Sequence, residues 1–142
     1  MMKAMLRSIS AARVLVALVA GVSSLACGDD EAEPPVAEDP GPSTGSTCPP
    51  EPTLTYENFG SDFFASYCTR CHSSELSGPD RHGAPVGYNW DEIETVREHA
   101  DLIDKMAAAG PDAVNTTMPL GNPRPAVEER EQLGEWLECG AP

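Results

Sequence analysis

The chain has 142 residues, room for one domain rather than two, and its 12 glycines and 14 prolines announce a long irregular segment. Nine Lys and Arg against 23 Asp and Glu leave a net charge of −14, a sign that repels phosphate backbones and excludes nucleic-acid binding. At 40% apolar and 6% aromatic the composition supports only a modest core, so something besides packing must help to hold the fold.

Residues 1–26 read as a targeting segment. Lys3, Arg7 and Arg13 form a cationic start, and Val14 to Val22 is an uncharged apolar run of nine residues. Spanning a bilayer takes about 20. The run ends in Ser23-Ser24-Leu25-Ala26-Cys27, which resembles the lipobox of bacterial lipoproteins, with Ser24 where that motif favours Leu and Leu25 one place later. The resemblance implies cleavage after Ala26 and a diacylglyceryl thioether on Cys27. Two or more acyl chains anchor a protein stably, where one does not. The alternative is an ordinary secretory signal that leaves a free Cys27.

The three cations of the signal leave with it, so six cations face 23 acids and the exported chain carries −17. Residues 28–47 hold six acids, four prolines, one valine and no aromatic residue. Such a segment buries too little apolar surface to offset its ordering entropy. Residues 27–47 are therefore expected to be a disordered acidic tether, followed by a domain over 48–142.

Five cysteines in an exported chain need individual explanations. Cys68-Thr69-Arg70-Cys71-His72 is a C-x-x-C-H sequence, the pattern in which two sulfurs add across porphyrin vinyl groups and the adjacent histidine binds iron. A thioredoxin-like pair would need a preceding strand and a βαβ context, and a zinc site a second paired cluster. The sequence offers neither. Cys48 and Cys139 remain, near the two ends of the expected domain.

Tyr56, Phe59, Phe63, Phe64 and Tyr67 recur at helical spacing and predict a helix that ends at the cysteine motif. Gly60 and Phe64 stand eight and four residues before Cys68. In these features the sequence resembles the class I cytochromes c over residues 56–139. The resemblance implies a small all-α domain around one covalently attached haem c, with a C-terminal helix crossing close to Gly60. Val127 to Cys139 is the expected partner, with Leu133, Trp136 and Leu137 on one face and Gly134 available for close approach. Asn89, with Glu92 three residues on, predicts the cap of a middle helix through Trp90, Ile93, Val96, Ala100, Ile103 and Ala107. Gly110-Pro111 ends it, and Glu98-His99 is a candidate break. Ser73 to Tyr88 is expected to be a loop along the haem edge, with Arg81 and Trp90 as candidate propionate contacts or, respectively, as solvated and core residues.

The resemblance also implies a sixth iron ligand. Met118 lies in Asn115-Thr116-Thr117-Met118-Pro119-Leu120-Gly121, 46 residues after His72, in a stretch that proline and glycine keep out of a helix. Family members carry their axial methionine in such a loop, so Met118 is expected to point toward His72 across an apolar cavity. His82, His99 and Met106 are the alternatives. Cys48 and Cys139 are expected to form a disulfide, since the export route is oxidising and the helices near them are the pair expected to cross.

The sequence therefore predicts a carrier of single electrons rather than an enzyme, lipid-anchored on the periplasmic or cell-envelope face of a bacterial membrane, serving redox proteins. The acidic face formed by Asp91, Glu92, Glu94, Glu98, Asp101 and Asp104 is expected to be solvated or to dock a basic redox partner. Two other readings stay open: a haem sensor or enzyme with an open distal site, and an envelope lipoprotein without haem.

Overall fold

The computed structural model of the protein describes residues 40–142. The expected export signal, the expected lipidation at Cys27 and the expected tether as far as residue 39 lie outside the described residues.

Thr55 starts the first helical segment by reciprocal capping: its hydroxyl accepts from Asn58 N (3.2 Å), and Asn58 Oδ1 accepts from Thr55 N (2.7 Å). The amides of Phe59 and Gly60 both donate to Thr55 O, at 3.0 and 3.2 Å. That shared acceptor widens the first turn, so Tyr56–Gly60 is a π-helical turn feeding α1, Ser61–Tyr67, where one uniform helix was expected. The middle helix is two, α2 (Ile93–Glu98) and α3 (Ala100–Ala107), broken at His99. Its start is corrected as well: α2 begins after Glu92, because Asn89 is occupied elsewhere, its Oδ1 accepting from Arg81 Nη1 (3.1 Å). The last helix, α4, runs Val127–Glu138. Its first turn is held by Glu129, whose Oε2 accepts from Ala126 N at 2.8 Å.

The described residues are all-α: four α-helices, with one isolated bridge between Ala109 and Val114 and no strand. The helices share one core of Phe63 and Phe64 from α1, Val96 from α2, Ile103 and Ala107 from α3, Leu133, Trp136 and Leu137 from α4, and Trp90 from the connecting loop. Burying a side chain such as Leu133 or Phe64 stabilises by about 1.5–3 kcal/mol. Trp136 is fully buried and sits on Gly60, where an added Cβ would stand 2.7 Å from Trp136 Cζ2. Gly134 serves a different approach from the expected one. It faces Ser46 Oγ and Ala109 O, so its missing side chain makes room for the segment before Cys48.

That segment corrects the expected tether. Residues 40–47 are tied to the helices at alternate points, with Thr44 only 1% exposed while residues 40, 42, 43 and 47 are exposed. Gly41 N donates to Lys105 O (3.0 Å), Thr44 N and Oγ1 donate to the Asp104 carboxylate, Ser46 Oγ donates to Ala109 O (3.2 Å), and Asn115 Nδ2 donates to Pro42 O (2.8 Å). Composition foretold disorder because it counts apolar burial, whereas this strap is held by hydrogen bonds to α3 and to the chain after it. Beside it, Cys48 and Cys139 form a disulfide with a Cα–Cα distance of 4.8 Å. Among the described residues no helix is long and apolar enough to cross a membrane.

Candidate functional site

The C-x-x-C-H segment caps α1. Cys68 N and Thr69 N both donate to Phe64 O (2.9 and 3.0 Å), and Cys71 N and His72 N both donate to Cys68 O (3.1 and 3.0 Å). The residues thus wind into tight turns that carry both cysteines and the histidine as one unit at the helix end. Cys68 and Cys71 are free, half-buried thiols. Burial pushes the Cys68 thiol up to about 12, against the opposing pull of Arg70 and Arg130, so it is held protonated.

His72 is half-buried, and its Nδ1 stands 3.1 Å from Tyr88 O. A carbonyl only accepts, so the proton is on Nδ1 and the in-plane lone pair on Nε2 is free. Burial lowers the basicity of the imidazole, opposed by the Tyr88 hydrogen bond and joined by nearby Arg81, which favours the neutral form a metal needs. Trp90 stacks on its face at 5.2 Å between centroids and 23° between planes, leaving the edge that carries Nε2 unobstructed by that contact. Asp91 secures the turn after His72, accepting from Ser73 Oγ (2.7 Å), Ser74 N (2.9 Å) and Ser74 Oγ (3.0 Å).

Tyr88 is placed by Arg81, which is 4% exposed. Its guanidinium donates to Ser73 O (2.6 Å), Ala84 O (3.1 Å), Pro85 O (2.8 Å), Tyr88 O (3.2 Å) and Asn89 Oδ1 (3.1 Å). The 73–88 loop is therefore wrapped around a buried cation. This corrects both the solvated and the propionate-binding expectations for Arg81, whose donors are spent inside its own loop. Trp90 is likewise a core residue.

Met118 is half-buried against the core in the loop before α4. Its N donates to Met106 O (2.8 Å), and its O accepts from Arg130 Nη1 (2.9 Å). The same Nη1 reaches Asn115 O (2.9 Å) and Ala107 O. Arg70, between the two motif cysteines, donates to Leu120 O (2.7 Å) and to Asn122 O. The Met118 loop is thereby joined to the cysteine motif. Of the alternatives, His82 is exposed, His99 is half-buried and stacks on Tyr88 at 4.7 Å, and Met106 is half-buried within α3.

Hollows of about 160 Å³, beside Phe59, Phe63, Tyr67 and Glu129, and about 260 Å³, beside Ser46, Pro111 and Glu135, border none of Cys68, Cys71, His72 and Met118. The expected apolar cavity is neither of these. Among the described residues no group of three or more His, Cys, Asp and Glu side chains is arranged around a common metal position. The chemistry of the donor set is of the kind a haem takes: two free thiols, a histidine beside them whose Nδ1 is on Tyr88 O, and a thioether in a loop tied to the same segment through Arg70.

Arg70, Arg130 and Tyr88 were not singled out by sequence reasoning. Arg130 had a readable signal, since it precedes Leu133 and Leu137 at spacings of three and seven on the buried face of α4. Comparisons with protein-family models, curated proteins and solved structures found no match to the chain.

Proposed function

We propose that the protein is a monohaem c-type cytochrome that carries single electrons between redox proteins outside the cytoplasmic membrane. One observation carries this reading: directly after two free cysteines at a helix end, His72 has its Nδ1 fixed on Tyr88 O, which leaves Nε2 as the ligand atom. A haem bound there supplies a one-electron Fe(II)/Fe(III) couple.

Cys68 and Cys71 would hold the ring, each thiol adding its sulfur and hydrogen across one vinyl group to give a thioether. His72 supplies a nitrogen ligand whose orientation is set by Tyr88 and, through it, by Arg81. The soft sulfur of Met118 would be the second ligand and would favour the ferrous state, raising the potential relative to two imidazoles. With His72 and Met118 both serving as ligands, the group would be left to electron transfer rather than to substrate turnover, which is the reading of a carrier rather than an enzyme. Cys27 is its lipid anchor on the periplasmic or envelope face, and the acidic residues up to 39 are its spacer. The net charge of −17 that six cations and 23 acids leave on the exported chain favours a redox partner with a basic face.

Optical redox titration of protein produced in a host with haem-attachment machinery tests the reading. A single reversible one-electron transition between two low-spin spectra is expected. Rapid binding of CO to a five-coordinate ferrous form would favour the sensor or enzyme reading instead, and a colourless protein from that host would favour the lipoprotein without haem.

A further inference from the structure

The loop that carries Met118 holds itself only in part, through its own Arg124, which donates to Gly121 O (3.3 Å) and Thr116 O (3.5 Å). Pro119 and Pro123 lack amide protons, and residues 120–124 are exposed and outside any helix or strand. The carbonyls of Met118, Leu120 and Asn122 are bound by arginines from elsewhere. Arg130 of α4 holds Met118 O, and Arg70 reaches some 50 residues along the chain to hold Leu120 O and Asn122 O. The two clamps fall on opposite sides of Pro119. Arg130 is 2% exposed, and both ion pairs among the described residues belong to other cations, Arg97 and Lys105. Its Nη1 is used on carbonyls alone.

We propose that Arg70 is a positioning residue for the axial sulfur: from within the C-x-x-C segment it latches the 120–122 backbone, so that one short stretch of chain both anchors the haem and keeps Met118 at the iron. The role rests on the cytochrome reading above and adds to it. A guanidinium suits the task because its planar fork meets two carbonyls at once, while an ammonium offers a point charge on a flexible stem. Arg130 forms the buried half of the clamp, and its removal would orphan carbonyls of Ala107, Asn115 and Met118 together. Arg70 is half-buried at the surface, so it can be changed with the core intact.

The test is imidazole binding to the ferric, haem-loaded full chain, which requires Met118 to leave the iron. Arg70→Ala and Arg70→Gln are expected to keep their haem, to bind imidazole about tenfold more tightly than wild type and to have a lower reduction potential, with Arg70→Lys in between. Hydrogen exchange at the amides of residues 120–122 should speed up in the same variants. In Met118→Ala, imidazole should bind tightly whatever residue stands at 70. Unchanged affinity in haem-loaded Arg70→Ala would overturn this role alone, as would failure of Arg70→Ala to retain haem while Met118→Ala retains it. A wild-type chain without attached haem would overturn the cytochrome reading and this role with it.

Discussion

Trp136 occupies the space that a side chain on Gly60 would need. A Cβ there would stand 2.7 and 2.9 Å from two ring carbons of Trp136 and 3.1 Å from Tyr56 Cδ2. The indole is fully buried, lies 6.1 Å from the ring of Phe59 and 5.9 Å from that of Phe64, and donates from Nε1 to Pro142 O at 3.4 Å. It has little room to retreat. Gly60→Ala should destabilise the domain by about 1–3 kcal/mol through overpacking, lowering the midpoint of thermal unfolding by several degrees. Helix propensity alone would give the opposite sign, a gain of up to about 1 kcal/mol, so a raised midpoint would mean that the ring can move aside.

The Gly60 relationship was legible only through the resemblance to the class I cytochromes c, which implies a helix crossing there; taken alone, Gly60 reads as an ordinary helix glycine. The faces of α1 and α4 were legible as local patterns of period 3.6, whereas the break at His99 was only a candidate because the apolar spacing runs on across it. The packing of residues 40–47 was not, because its hydrogen bonds run to residues about 60 positions away and leave no periodic trace. Arg81 and Arg70 escaped for a related reason. Their acceptors are mainly backbone carbonyls, which every residue possesses, so no side-chain pattern marks them. Asn89 was misread as a helix cap because its side chain had a second partner in Arg81 that sequence spacing does not reveal.

The disulfide between Cys48 and Cys139 spans a sequence separation of 91 residues. On the loop-entropy relation, closing a loop of that size restricts the unfolded chain by about 4–5 kcal/mol. Cys139→Ser should therefore lower the thermal midpoint by far more than an ordinary surface substitution while leaving the absorption spectrum of the loaded protein nearly unchanged. Calorimetry and optical spectra of the same sample decide between this and a bridge that also shapes the site, which would alter the spectrum.

Arg81 gives a sharper stability test than any apolar position in the 73–88 loop. Arg81→Met keeps much of the stem but removes the donors to Ser73 O, Ala84 O, Pro85 O, Tyr88 O and Asn89 Oδ1. With the buried Ser73 O and the part-buried Ala84 O and Pro85 O losing their donor, while Tyr88 O keeps His72 Nδ1, the loss should be about 3 kcal/mol by denaturant unfolding. A loss below about 1 kcal/mol would mean that water reaches those carbonyls.

Asp91 makes stability depend on acid pH. Burial, the largest single influence, pushes its carboxyl upward, but the hydrogen bonds from Ser73 and Ser74 together outweigh it and hold the group below its ordinary value. With the folded value depressed, its contribution is complete above the unfolded value of about 3.9 and is lost as the pH falls through the lower, folded value. Urea midpoints measured between about pH 2 and pH 6 should fall more steeply for wild type than for Asp91→Asn at the acid end. Parallel curves would remove Asp91 from the acid response.

The covalent role of Cys68 and Cys71 is open to one direct measurement, the intact mass of the denatured chain purified from a host that attaches haem to exported proteins. The prediction is a mass increase of one haem that survives denaturation, is abolished in the Cys68→Ala, Cys71→Ala double variant and is retained in Met118→Ala. A wild-type chain from that host whose mass lacks a haem, with both thiols open to alkylation after unfolding, would contradict it.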